Sequence, residues 1–112
     1  MYAVIWRYEV KPEVIPTFRS LYGPEGQWAS LFGRAQGYLG TELYRDDATP
    51  DHFLTIDRWV SRDAFAVFMS IHGQAYAAMD TKCDGLTVSE LRLGDLEGEV
   101  VLATTPLRDR IA

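Results

Sequence analysis

The chain has 112 residues, 47% hydrophobic and 24% charged, which suits one globular domain with its own core and excludes a disordered segment. Its net charge is −5 and its Lys and Arg are scattered, which sets nucleic acid aside, because phosphate binding needs clustered cations. A single cysteine, Cys83, excludes an intrachain disulfide, and the longest uncharged run, Ala64 to Met79, is too short and too polar to span a bilayer.

Tyr2 to Val10 alternates, with Tyr2, Val4, Trp6, Tyr8 and Val10 on one face and Ala3, Ile5, Arg7 and Glu9 on the other. Period two over nine residues predicts a strand, and it leaves no room for a signal peptide, so a cytoplasmic location is expected. Pro12 ends the strand and suits a first helical turn. Val14, Phe18, Leu21 and Tyr22 then share one helix face. Gly23-Pro24-Glu25-Gly26 interrupts that helix, and a second piece restarts with Trp28, Leu31, Phe32 and Ala35. Gly37 is expected to close it as a left-handed cap.

A second strand runs from Tyr38 to Arg45, with Leu39, Thr41 and Leu43 facing one way and Tyr38, Gly40, Glu42 and Tyr44 the other. The polar turn from Asp46 to Asp51 leads into a third strand, His52 to Trp59. There Phe53, Thr55, Asp57 and Trp59 oppose Leu54 and Ile56. Asp57 and Arg58 are expected as an exposed pair, or Asp57 as a cross-strand partner of Arg7. Ser61 caps the main helix, whose apolar face collects Phe65, Phe68, Ile71, His72, Ala75, Met79 and Cys83 before Asp84-Gly85 ends it. A fourth strand, Leu86 to Gly94, slips in its alternation, which a bulge near Ser89-Glu90 reconciles. Val100 to Thr104 is a further short strand candidate, followed by a polar tail.

The order β-α-β-β-α-β predicts an α+β, ferredoxin-like fold: a four-stranded antiparallel sheet with both helices on one face. Residues 1–95 form this domain and 96–112 an extension. Both parities of the central strands carry large apolar side chains, so a second copy is expected to cover the other face, giving a homodimer. The apolar 100–104 segment is then placed to contact the partner's sheet edge.

Three Trp, six Tyr and five Phe are more than a small core needs, and such residues line ligand cavities or subunit interfaces as well as cores. Two His and one Cys are not spaced as metal ligands, and no nucleotide, flavin or nicotinamide motif is visible, so neither metal nor cofactor is expected. His72, amid Phe68, Ala75, Tyr76 and Met79, is the candidate general base; the alternative is a core histidine satisfied by a carbonyl or a Tyr hydroxyl. Trp59, Tyr76, Phe68, Tyr44 and Trp6 are the candidate pocket walls, with core or interface packing as the other reading of each.

Gly37-Tyr38-Leu39-Gly40-Thr41-Glu42-Leu43 entering the second strand, and Trp59-Val60-Ser61 leaving the third into an Ala-Phe-rich helix, resemble the antibiotic biosynthesis monooxygenase family over residues 2–95. The resemblance implies a dimeric α+β barrel and an oxygenase that needs no prosthetic group and acts on a small phenol- or quinol-like aromatic. The alternative is a non-enzymatic dimer that binds a small ligand in the same cavity. Haem-degrading members use an Asn, a Trp and a His; this chain has no Asn, and only Trp59 has a counterpart, so no haem site is expected.

Overall fold

The computed structural model describes residues 1–99. Strand β1, Tyr2–Val10, is followed by a 3-10 turn, Pro12–Val14, that runs into helix α1, Ile15–Tyr22. Helix α2 spans Gln27–Phe32, and strands β2 and β3 span Tyr38–Arg45 and His52–Trp59. Helix α3 runs Arg62–Cys83, a 3-10 turn covers Asp84–Leu86, and β4 spans Thr87–Glu97. The sheet order is β2-β3-β1-β4, antiparallel throughout, so the fold is the ferredoxin-like α+β arrangement. The extension's candidate strand at 100–104 lies outside the described residues.

The even residues of β1 and the odd residues of β3 face the helices. Tyr2, Val4, Tyr8 and Val10 are buried on one strand, and Phe53, Thr55, Asp57 and Trp59 on the other. Two aromatic groups fill the layer between helices and sheet. Around Trp59 lie Phe32, Tyr38, Phe65 and Phe68, with ring centroids 5.2–5.7 Å away. Around Phe18 lie Tyr8, Tyr22 and Phe53, at 4.2–5.2 Å. Phe18 and Tyr22 stack with their planes 17° apart and the other pairs are tilted or edge-on, arrangements that add to simple burial.

Several local expectations change. Helix α2 ends at Phe32, and Gly37 has no left-handed φ. A Cβ at Gly37 would lie 2.4 Å from Ala64 Cβ, so this glycine lets the first turns of α3 approach the start of β2. In β2 a register shift between Tyr38 and Gly40 turns Tyr38 toward the helices, on the same side as Thr41 and not opposite it. In β4 the shifts fall at two places, one skipping Val88 and one skipping Leu93, and the strand continues to Glu97.

Ser61 caps α3 as expected, its Oγ accepting from Ala64 N at 3.1 Å. The helix is kinked at His72, whose backbone (φ −113°, ψ 15°) leaves the helical region. Ile71, expected on the buried face, is exposed at its rim, whereas Phe68 and Cys83 are fully buried. Among the described residues no helix is long and apolar enough to cross a membrane.

Candidate functional site

A cleft lies between the helical layer and the sheet, and its polar groups come from neighbouring strands. Strand β3 contributes Thr55 and Asp57 through its inward parity, β2 contributes Thr41 directly beside Asp57, and β1 contributes Trp6 and Tyr8. Tyr22, Trp28, Phe32 and Tyr76 close the cleft from the helices, while exposed Glu90 of β4 and half-buried Trp6 stand at its rim. Its inner volume is about 30 Å³. That is room for roughly two waters, so an aromatic ligand must seat itself partly at the rim or displace a side chain.

Asp57 dominates the electrostatics. It is only 9% exposed, and its Oδ1 accepts a hydrogen bond from Thr41 Oγ1 at 2.7 Å. Thr41 Oγ1 in turn lies 2.5 Å from the Tyr38 hydroxyl. No cation among the described residues neutralises the carboxylate: Arg58 pairs with Glu42, Arg7 donates to His52 Nδ1 at 3.0 Å, and Arg92 pairs with Asp95 at 2.7 Å. Burial therefore pushes the Asp57 carboxyl up to about 6, against the pull of the Thr41 hydrogen bond. The expectation of an exposed pair or an Arg7 partner fails because Asp57 shares the inward parity of Phe53 and Trp59. Arg7 pairs in register with Leu54 and lies on the other face.

The other titratable groups in the cleft behave differently. Tyr8, hydrogen-bonded to Thr55 Oγ1 at 3.3 Å, is pushed up by burial, as are Tyr22 and Tyr76, so all three phenols stay neutral. Glu90 is raised as well, chiefly by desolvation. Asp57 is thus a carboxylate poised to take a proton near neutral pH, in a cleft walled largely by aromatic rings. Among the described residues there is no cluster of His, Cys, Asp and Glu able to hold a metal ion.

The residues singled out from sequence are distributed as follows. Tyr76 and Trp6 line the cleft, Tyr76 meeting Trp28 edge-on with centroids 5.1 Å apart. Trp59 and Phe68 are fully buried in the core beside it. His72 packs on Phe68 at 5.3 Å and lines a separate outer groove with Arg34, Gly37, Val60 and Val67. Tyr44 is half-exposed on β2 and donates to the Glu42 carboxylate. Asp57, Thr41, Thr55 and Trp28 join the site without having been expected there. The signal that could have found them is Asp57's parity with two large aromatics, Phe53 and Trp59, on the inward side of its strand.

Among curated proteins none matches the chain. Solved structures do. SnoaB, a cofactor-independent oxygenase from Streptomyces nogalater, superposes in a variant form with a TM-score of 0.67 at 19% identity, covering 90% of this chain and 95% of that one. A protein from Deinococcus radiodurans assigned to the antibiotic biosynthesis monooxygenases gives 0.70 at 17% identity, covering 95% and 100%. One from Bordetella bronchiseptica with the same assignment gives 0.70 at 18%, covering 88% and 97%. At these identities the likeness concerns the fold. The family model described as "Antibiotic biosynthesis monooxygenase" matches residues 1–70, well over half of the sequence, and the chain belongs to that family.

Proposed function

We propose that the chain is a cofactor-independent monooxygenase acting on a small phenol- or quinol-like aromatic, with Asp57 as the base. One observation carries this reading: a buried carboxylate without a cationic partner among the described residues, its affinity for protons raised, in a cleft walled by aromatic rings. The ring hydroxyl of a bound substrate gives its proton to Asp57, and the anion delocalises its charge onto a ring carbon that still bears hydrogen. That carbon adds to dioxygen, Asp57 returns its proton to the resulting peroxide, and the O–O bond breaks with loss of the C–H proton. One oxygen atom remains as a carbonyl and the other leaves as water, so the substrate supplies both electrons. Trp6 and Tyr76 hold the ring plane, and Thr41 and Tyr38 fix the carboxylate.

The small inner volume favours a second reading, in which the same cleft binds a ligand without chemistry. Oxygen uptake with anthrone- and naphthol-type substrates, under chelator and without flavin, separates the two. Turnover that falls at least about 100-fold in Asp57→Asn supports the enzyme. Ligand binding with no uptake across the panel supports the binding protein. His72, the base expected from sequence, enters as a competing assignment tested by His72→Ala in the same assay.

The reading extends to assembly and location. A second copy covers the outer sheet face, where Leu91 and Leu96 are exposed beside half-buried Ile5, Leu54 and Ile56. The dimer works in the cytoplasm.

A further inference from the structure

We infer that the indole N–H of Trp28 is the anchor for a second ligand oxygen, remote from the hydroxyl that Asp57 deprotonates; this rests on the Asp57 reading of the cleft. Trp28 is 7% exposed, and its Nε1 meets no acceptor among the described residues. An indole nitrogen only donates, so it cannot be satisfied by reversing roles as a Tyr or Thr hydroxyl can. Trp59 Nε1 is equally without an acceptor among them, but Trp59 lies in the core and does not line the cleft. Trp28 does line it, held edge-on against Tyr76 and supported by Tyr22 and Phe32.

Thr41 is engaged with Asp57 and Thr55 with Tyr8, and the Tyr22 and Tyr76 hydroxyls that also line the cavity can accept as well as donate, so none of these demands an acceptor as an indole N–H does. Helix α2 carries a donor-only group without an acceptor among the described residues, and β3 carries the base in the sheet. A ligand that satisfies both is a planar ring system with an ionisable hydroxyl at one end and a carbonyl or ether oxygen at the other. A ring with the hydroxyl alone leaves a buried donor unpaired, and the site discriminates against it for that reason. Trp28 is therefore a specificity residue.

The test compares two probes under anoxia, 1-naphthol and 4-methoxy-1-naphthol, by titration calorimetry on the full chain. The unsubstituted protein is expected to prefer the methoxy compound by about tenfold, and Trp28→Phe, which keeps a ring but removes the N–H, to bind both with the weaker affinity. A second readout uses the unsubstituted protein with ¹⁵N-labelled tryptophan, its indole signals assigned by single Trp→Phe changes. The methoxy compound is expected to move the Trp28 indole proton downfield, and 1-naphthol to leave it nearly in place. A preference that survives in Trp28→Phe, or an indole signal indifferent to the acceptor oxygen, overturns the inference. Oxygen uptake by Asp57→Asn, measured in air beside these binding data, separates it from the reading beneath it. If Asp57→Asn keeps its oxygen uptake while Trp28→Phe loses its preference, the base assignment falls and the anchor stands; the reverse pattern removes the anchor alone. Failure of the unsubstituted protein to bind either naphthol overturns both.

Discussion

Asp57 carries a cost that stability measurements can read. In the unfolded chain its carboxyl titrates near 3.8, and in the folded protein near 6. Between these values the native state holds a proton that the unfolded state has released, so stability falls as pH rises. The protonated form is favoured fully below pH 4, and the loss is complete above the folded value. Two pH units correspond to on the order of 2–3 kcal/mol. Asp57→Asn keeps an acceptor for Thr41 and has no proton to lose. Urea unfolding at pH 4.5 and pH 8 is expected to show this variant gaining on the unsubstituted protein as pH rises. A constant difference between the two would mean that Asp57 ionises as freely as an exposed carboxylate. Such a penalty, retained in a cleft, is what a base adapted to neutral pH costs its fold.

At the scale of elements, the order of strands and helices is legible in period-two and helical spacing, and so is the Ser61 cap. Local irregularities are not. The bulge after Tyr38 inserts a single residue, leaves composition unchanged and reverses which side Tyr38 faces, so alternation alone points it the wrong way. The kink at His72 likewise has no proline to announce it, and His72 faces the outer groove. The role of Gly37 is a contact with Ala64, far along the chain, which no local pattern encodes. Two glycines make this testable. Gly37→Ala puts a methyl 2.4 Å from Ala64 Cβ and is expected to cost about 1–3 kcal/mol. Gly73→Ala, with nothing within 4 Å of the added carbon, is expected to gain about 0.4–1 kcal/mol by restricting the unfolded chain. Denaturant midpoints measure both, and equal effects would show that the Gly37–Ala64 approach is not tight.

For the whole molecule, the two faces of the sheet pose different problems. The inner face is covered by three helices; the outer face presents Leu91 and Leu96, each 59% exposed, beside Ile5, Leu54 and Ile56. Apolar side chains on both strand parities make the need for a cover on each face legible in the sequence, but the same pattern leaves open which face meets the helices. Alternation therefore groups Asp57 with Phe53 and Trp59 without showing that this group is the buried one. Sedimentation equilibrium is expected to give twice the chain mass at micromolar concentration, and Ile56→Glu to shift the protein toward monomer by placing a charge at the centre of the sheet. A monodisperse monomer of the unsubstituted chain would contradict the two-fold assembly.

The proton-accepting role of Asp57 is tested most directly by the pH profile of kcat/KM for oxygen uptake, with metal chelated and no flavin, in the unsubstituted protein, Asp57→Asn and His72→Ala. Because a base acts only when ionised, the unsubstituted protein is expected to lose activity as pH falls through an inflection near 6 and to level off above it. His72→Ala is expected to keep that inflection, whereas Asp57→Asn is expected to lose both the inflection and about 100-fold or more of the rate. Retention of rate and inflection in Asp57→Asn, with their loss in His72→Ala, would move the chemistry out of the cleft and contradict the account.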